Sequence, residues 1–131
     1  MSDRLKKTFE NKNKKLVTFT TGGDPDLETS FEILKTIINN NIDIIEIGMP
    51  FSDPMADGPT IQESSTRSIE NGTTIKDIFE LVKKIRTINN EIPVILMGYY
   101  NSIFNMGIEK FTSKCVEVGV DGLIIVDLQP E

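Results

Sequence analysis

The strongest constraint on the fold is an alternation. Short apolar, β-branched runs at residues 16–20, 42–47, 94–97 and 123–126 are separated by longer stretches whose apolar residues return every three or four positions. Strands interleaved with helices cannot pair through tight hairpins, so the sheet is expected to be parallel with crossover helices. Very few residues separate the stretch at 27–40 from the run at 42–47, which reads as a β-loop-α-β unit with a right-handed crossover. Four such units fit an open doubly wound sheet or the first half of a (β/α)8 barrel.

The intervening segments carry their own signals. Residues 2–13 are polar with Leu5 and Phe9 four apart, which predicts a short amphipathic helix covering one end of a core. Gly22-Gly23-Asp24-Pro25-Asp26 breaks the first strand, and Asp24 or Asp26 can cap the next helix. In that helix Leu27, Phe31, Leu34 and Ile38 form one stripe, widened by Ile33 and Ile37. Residues 61–70 read as a helix stopped by Asn71-Gly72. Thr74 and Asp77 resemble a capping box opening a helix to about Ile88, and Pro93 introduces the third strand. On the helix at 108–118, Ile108, Phe111, Cys115 and Val118 share one face. Cys115 there reads as a small buried hydrophobe rather than a nucleophile, since nothing basic falls beside it. Asn41-Ile42-Asp43 before the second strand is echoed by Gly119-Val120-Asp121 before the fourth. Each of these strands has an acid towards its C-terminal end, Glu46 and Asp127, which suggests a repeated βα unit.

The chemistry concentrates in residues 44–62. An apolar strand carries a carboxylate, Glu46, where a charge is expensive, and then runs into a loop with three prolines that presents Ser52, Asp53 and Asp57. On spacing alone, Glu46 reads equally as a solvated strand-end carboxylate, and Asp57 as a turn former ahead of Gly58. The whole stretch, Glu46-Ile47-Gly48-Met49-Pro50-Phe51-Ser52-Asp53-Pro54 continuing through Ala56-Asp57-Gly58-Pro59-Thr60-Ile61-Gln62, resembles the signature of the tryptophan synthase alpha subunit family. The resemblance extends to Thr20-Thr21-Gly22-Gly23-Asp24-Pro25-Asp26, to the aromatic rim Met97-Gly98-Tyr99-Tyr100-Asn101, and to Val120-Asp121-Gly122-Leu123 through Asp127-Leu128.

This likeness favours the barrel over the open sheet. Residues 1–131 are then expected to form the amino-terminal part of one (β/α)8 TIM barrel domain, four of its eight βα units, with the carboxy-terminal half missing, since a complete barrel needs about 250 residues. An unclosed sheet would leave two edges and an apolar face, which predicts self-association. The resemblance implies retro-aldol cleavage of indole-3-glycerol phosphate to indole and glyceraldehyde 3-phosphate. It assigns Glu46 as the proton shuttle between the side-chain hydroxyl and indole C3, and Asp57 as acceptor of the indole N–H. Partial burial on a strand can raise the Glu46 pKa, whereas Asp57 sits on a loop where it can arrive with the substrate.

The same resemblance assigns Phe19, Tyr99 and Asp127 to substrate binding, with Asp127 in a supporting place, and puts Asp53, Pro54 and the turn at Asn101 on the partner-facing side. It implies no metal and no cofactor in this subunit, and an alpha2beta2 heterotetramer in which indole passes to a beta subunit that holds pyridoxal phosphate. Phosphate-binding loops after strands seven and eight would lie beyond this chain, so residues 1–131 alone are expected to be inactive. Thr18, Ser102 and Gln129 stand where the family often has Pro; none of the three touches the acid pair.

Composition excludes several other classes. With 38% hydrophobic and 26% charged residues the chain reads as an ordinary soluble protein, and with net charge −6 it lacks a large basic cluster despite the lysines among its first fifteen residues, which argues against nucleic acid. A single Cys excludes an internal disulfide, and the lack of His leaves acid–base work to carboxylates, Lys or Tyr. No run approaches the roughly 20 apolar residues of a membrane span, so a cytoplasmic location is expected. A Schiff-base aldolase would want a Lys at a strand's C-terminal end, and the four rims have none. A receiver-like signalling domain gives the Pro-rich loop no purpose, and a piece that only binds the beta subunit would do so without lyase activity.

Overall fold

A computed structural model describes residues 1–129. Its elements are α1 (Asp3–Phe9), β1 (Val17–Thr21), α2 (Leu27–Ile38), β2 (Ile44–Gly48), α3 (Pro59–Glu70), α4 (Ile75–Ile88), β3 (Val94–Gly98), α5 (Tyr100–Met106), α6 (Ile108–Val118) and β4 (Gly122–Ile125). The strands form one parallel sheet in the order β1-β2-β3-β4. Sequential order with helical crossovers is the arrangement of successive barrel units.

Alternation along the strands separates two faces. Ile45, Ile47, Val94 and Leu96 are fully buried and pack against Leu34 of α2, Ile78, Val82 and Ile85 of α4, and Phe111 of α6. This is the core. The other face carries Phe19, Glu46, Ile95 and Met97, all partly exposed, with Val17 and Ile124 exposed on the two edge strands. A polar group at one of these positions keeps contact with water, which is how Glu46 fits into an otherwise apolar strand.

Helix ends follow their sequence signals. Asp26, rather than Asp24, caps α2 by accepting from the Thr29 N–H at 2.8 Å, and the Asp77 carboxylate accepts from the Thr74 N–H at 2.8 Å. Gly119, in the left-handed region at φ 85°, ends α6. Asp24 instead makes a two-pronged ion pair with Arg67 of α3, at 2.8 and 2.9 Å.

The echo of Asp43 and Asp121 has a physical meaning. Asp43 accepts from the Leu16 N–H at 2.8 Å, and Asp121 from the Val94 N–H at 2.9 Å, so each carboxylate clasps the entry of the preceding strand. Each follows a residue of positive φ, Asn41 or Gly119, by two positions. Asp121 also binds Arg86 at 2.8 Å and Arg4 of α1 at 3.2 Å, tying α1 across the strand-entry end. Burial pulls the Arg86 guanidinium below its ordinary pKa, with the Arg4 charge adding to it and Asp121 working against it.

Several expectations need correction. Residues 100–106 form a helix, α5, so Asn101 lies in a first helical turn and not in a loop turn. Ile33 and Ile108 are exposed and do not join the buried faces of α2 and α6, and Phe9 is exposed on a shorter α1. Leu16 precedes β1 and is exposed. Gln129 is the last of the described residues, and residues 130–131 lie outside them.

Candidate active site

Glu46 is the third residue of β2, two before its C-terminal end at Gly48. Register sets it beside Phe19 on β1 and Ile95 on β3, all on the face away from the helices. Gly48 makes room for the neighbouring ring: a Cβ there would lie 2.7 Å from Phe19 Cζ, inside contact distance. A partly exposed carboxylate and a partly exposed ring therefore share one patch. Burial pushes the Glu46 carboxyl above its ordinary value, and no cation is paired with it among the described residues.

Beyond Gly48 the chain becomes the Pro-rich loop. Two short backbone bonds, Met55 N–H to Asp53 O at 2.9 Å and Asp57 N–H to Pro54 O at 3.0 Å, wind residues 53–57 into a tight turn. Gln62 of α3 donates to the Asp57 carbonyl at 2.8 Å, and Pro59 starts α3 at a position where its missing N–H costs nothing. The Asp57 side chain itself accepts from the Tyr99 hydroxyl at 3.0 Å, while that hydroxyl accepts from the Ala56 N–H at 3.0 Å. Phe51 stacks on the Tyr99 ring with centroids 5.2 Å apart and planes 24° apart.

Tyr99 thus has a place that its position in the sequence does not reveal. It is 2% exposed, with its ring against Phe51, and offers the site its hydroxyl rather than an open face. Burial raises the Tyr99 pKa above its ordinary value; the Ala56 N–H opposes this and the Asp57 carboxylate adds to it. Asp127, in the turn after β4, accepts from the Tyr100 N–H at 2.7 Å, joining the β3 and β4 rims at the start of α5. Asp53 and Asn101 are exposed, whereas Pro54 is buried in its loop.

Sequence reasoning missed the polar seam behind this rim. Ser64 and Ser68 of α3 are buried against β1, where Ser64 Oγ lies 2.6 Å from Thr21 Oγ1 and Ser68 Oγ donates to the Gly22 carbonyl at 2.7 Å. The signal was a serine pair at i, i+4 on a helix with few apolar residues, which an apolar-periodicity search passes over. This seam holds α3, and with it the end of the acid loop. A separate groove of about 450 Å3, lined by Lys76, Phe79, Met106 and Lys110 among others, lies on the helix side and includes neither acid. Among the described residues no cluster of His, Cys, Asp and Glu has a metal-binding arrangement.

Comparison with known proteins agrees with this geometry. The family model described as tryptophan synthase alpha chain matches residues 5–131. The tryptophan synthase alpha chain of Geotalea daltonii is 53% identical over 132 residues, covering 98% of this chain and 50% of the relative. The crystal structure of tryptophan synthase subunit alpha from Legionella pneumophila superposes with a TM-score of 0.95 at 39% identity, covering 99% of this chain and 51% of that one. A chain of the tryptophan synthase complex from Pyrococcus furiosus gives 0.83 at 39% identity over 89% of this chain and 48% of its own length. The chain spans about half the length of the curated relatives it matches. Four sequential parallel strands, an acid-bearing second strand and this depth of similarity have one meaning: the chain belongs to the tryptophan synthase alpha chain family.

Proposed function

We propose that this chain supplies the acid–base half of an indole-3-glycerol phosphate lyase, with Glu46 and Asp57 as its catalytic residues. The observation that carries the reading is the contrast between the two carboxylates: Glu46 sits on a strand with its pKa raised by burial, and Asp57 sits on a loop with a hydroxyl donor. Two acids in different surroundings can take different roles. A carboxyl that burial makes readier to hold a proton suits Glu46, which takes the side-chain hydroxyl proton and protonates indole C3. Protonation makes indole a leaving group, and the alkoxide collapses to an aldehyde as the carbon–carbon bond breaks. Asp57 accepts the indole N–H and stabilises the positive charge that develops there.

Phe19 beside Glu46 offers an apolar face to the indole ring, and Asp127 supports the rim through Tyr100. The reaction calls on side chains alone, with pyridoxal phosphate confined to a beta subunit. Asp53, Pro54 and Asn101 belong to the side of the rim that meets that subunit in an alpha2beta2 assembly, and the setting is cytoplasmic. A phosphate site needs the later strands of the barrel, so residues 1–131 alone should be inactive. The test is indole release from indole-3-glycerol phosphate by the gene's full product. Equal amounts of indole and glyceraldehyde 3-phosphate, undiminished by a chelator, are expected; no indole with a folded product would overturn the reading.

A further inference from the structure

We infer that Tyr99 is a positioning residue whose hydroxyl, held by the Ala56 N–H, aims the Asp57 carboxylate. This rests on the lyase reading above and adds to it a role for the hydroxyl rather than the ring. The hydrogen bonds have only one consistent direction. An amide N–H can only donate, so the Ala56 N–H uses a lone pair of the Tyr99 oxygen, 3.0 Å away, and the hydroxyl hydrogen is left for Asp57 Oδ2, also at 3.0 Å. A carboxylate can only accept, which makes the chain from Ala56 through Tyr99 to Asp57 self-consistent.

The geometry behind the hydroxyl is rigid. Tyr99 is 2% exposed, its ring is stacked on Phe51 of the same loop, and its backbone sits between β3 and the start of α5. The loop is thus pinned to the sheet at Phe51 and at Ala56-Asp57 by one side chain. Among the described residues Asp57 Oδ1 has no hydrogen-bond donor, so one oxygen is held and the other stays free for an N–H of the substrate. The loop's remaining ties to its surroundings, such as Gln62 on the Asp57 carbonyl, fix the backbone but not the carboxylate. Without the tyrosine hydroxyl, the carboxylate would rotate freely and meet the indole N–H in a fraction of its orientations.

A double-mutant cycle in the gene's full product tests this. Tyr99→Phe keeps the ring and its stacking, so folding should survive, as a cooperative thermal transition only a few degrees below that of the unsubstituted product would show. Turnover of indole-3-glycerol phosphate by the unsubstituted product is measured first; its absence would remove the lyase reading, and this role with it. Given turnover, Tyr99→Phe should lower kcat about tenfold with little change in KM, and should add nothing in an Asp57→Asn background. Unchanged kcat, or losses that multiply in the double variant, would show that Tyr99 does not act through Asp57 and would overturn the proposal.

Discussion

At the residue scale, burial of the Glu46 carboxylate costs stability at the position where the proposed proton transfer needs it. Its pKa in the folded chain lies above its ordinary value because burial disfavours the charge. The folded state therefore binds more protons than the unfolded one between the two values, and stability must fall as pH rises through that window. Glu46→Gln removes the penalty: the variant should melt higher than wild type at neutral pH, with the gain vanishing in acid below the ordinary carboxylate value. Thermal melts at both pH values check it, and a gain that persists in acid would point to packing instead. Gly48→Ala should push the Phe19 ring off its place, since the added Cβ falls 2.7 Å from Cζ. A several-fold rise in KM for indole-3-glycerol phosphate is expected in the full product. The position of Glu46 was visible in the sequence because a carboxylate interrupts β-branched residues; the contacts of the Tyr99 hydroxyl were not, because its partners lie 42 and 43 residues away.

At the element scale, legibility tracked how local each signal was. The capping pair Thr74 and Asp77, the Asn71-Gly72 stop and the strand runs are read from neighbours along the chain, and the structure has each of them, the strands to within two residues at their ends. Helix α5 was missed because Tyr100–Met106 is short and aromatic, with no capping side chain; its first N–H is satisfied by Asp127 from the turn after β4. Exposure of Ile33 and Ile108 was equally hidden, since periodicity marks a face but not how far the sheet extends beneath it. The paired clasps predict unequal costs. Asp121 has a fully buried side chain that serves Arg86, Arg4 and the Val94 N–H, so Asp121→Ala should cost about 3–5 kcal/mol by leaving a buried cation unpaired. Asp43 is one-third exposed and faces Lys15 at 3.9 Å, so Asp43→Ala should cost clearly less. Denaturant midpoints of the two variants decide, and equal losses would contradict the assignment.

At the scale of the whole molecule, the sheet order and the register gather Phe19, Glu46 and the acid loop on the face and rim away from the helices. The barrel reading came from matching successive rims to a family, because alternation alone also permits an open doubly wound sheet. The structure bears it out through sequential parallel strands that superpose on alpha subunits at a TM-score of 0.95. The proposed lyase activity turns on one step, transfer of the proton by the Glu46 carboxyl. Indole release in the gene's full product with Glu46→Gln, set against wild type at saturating substrate, tests it most directly. A fall of about 10²-fold or more in kcat with substrate binding retained is predicted, the usual weight of a general acid–base group; near-normal turnover would contradict it.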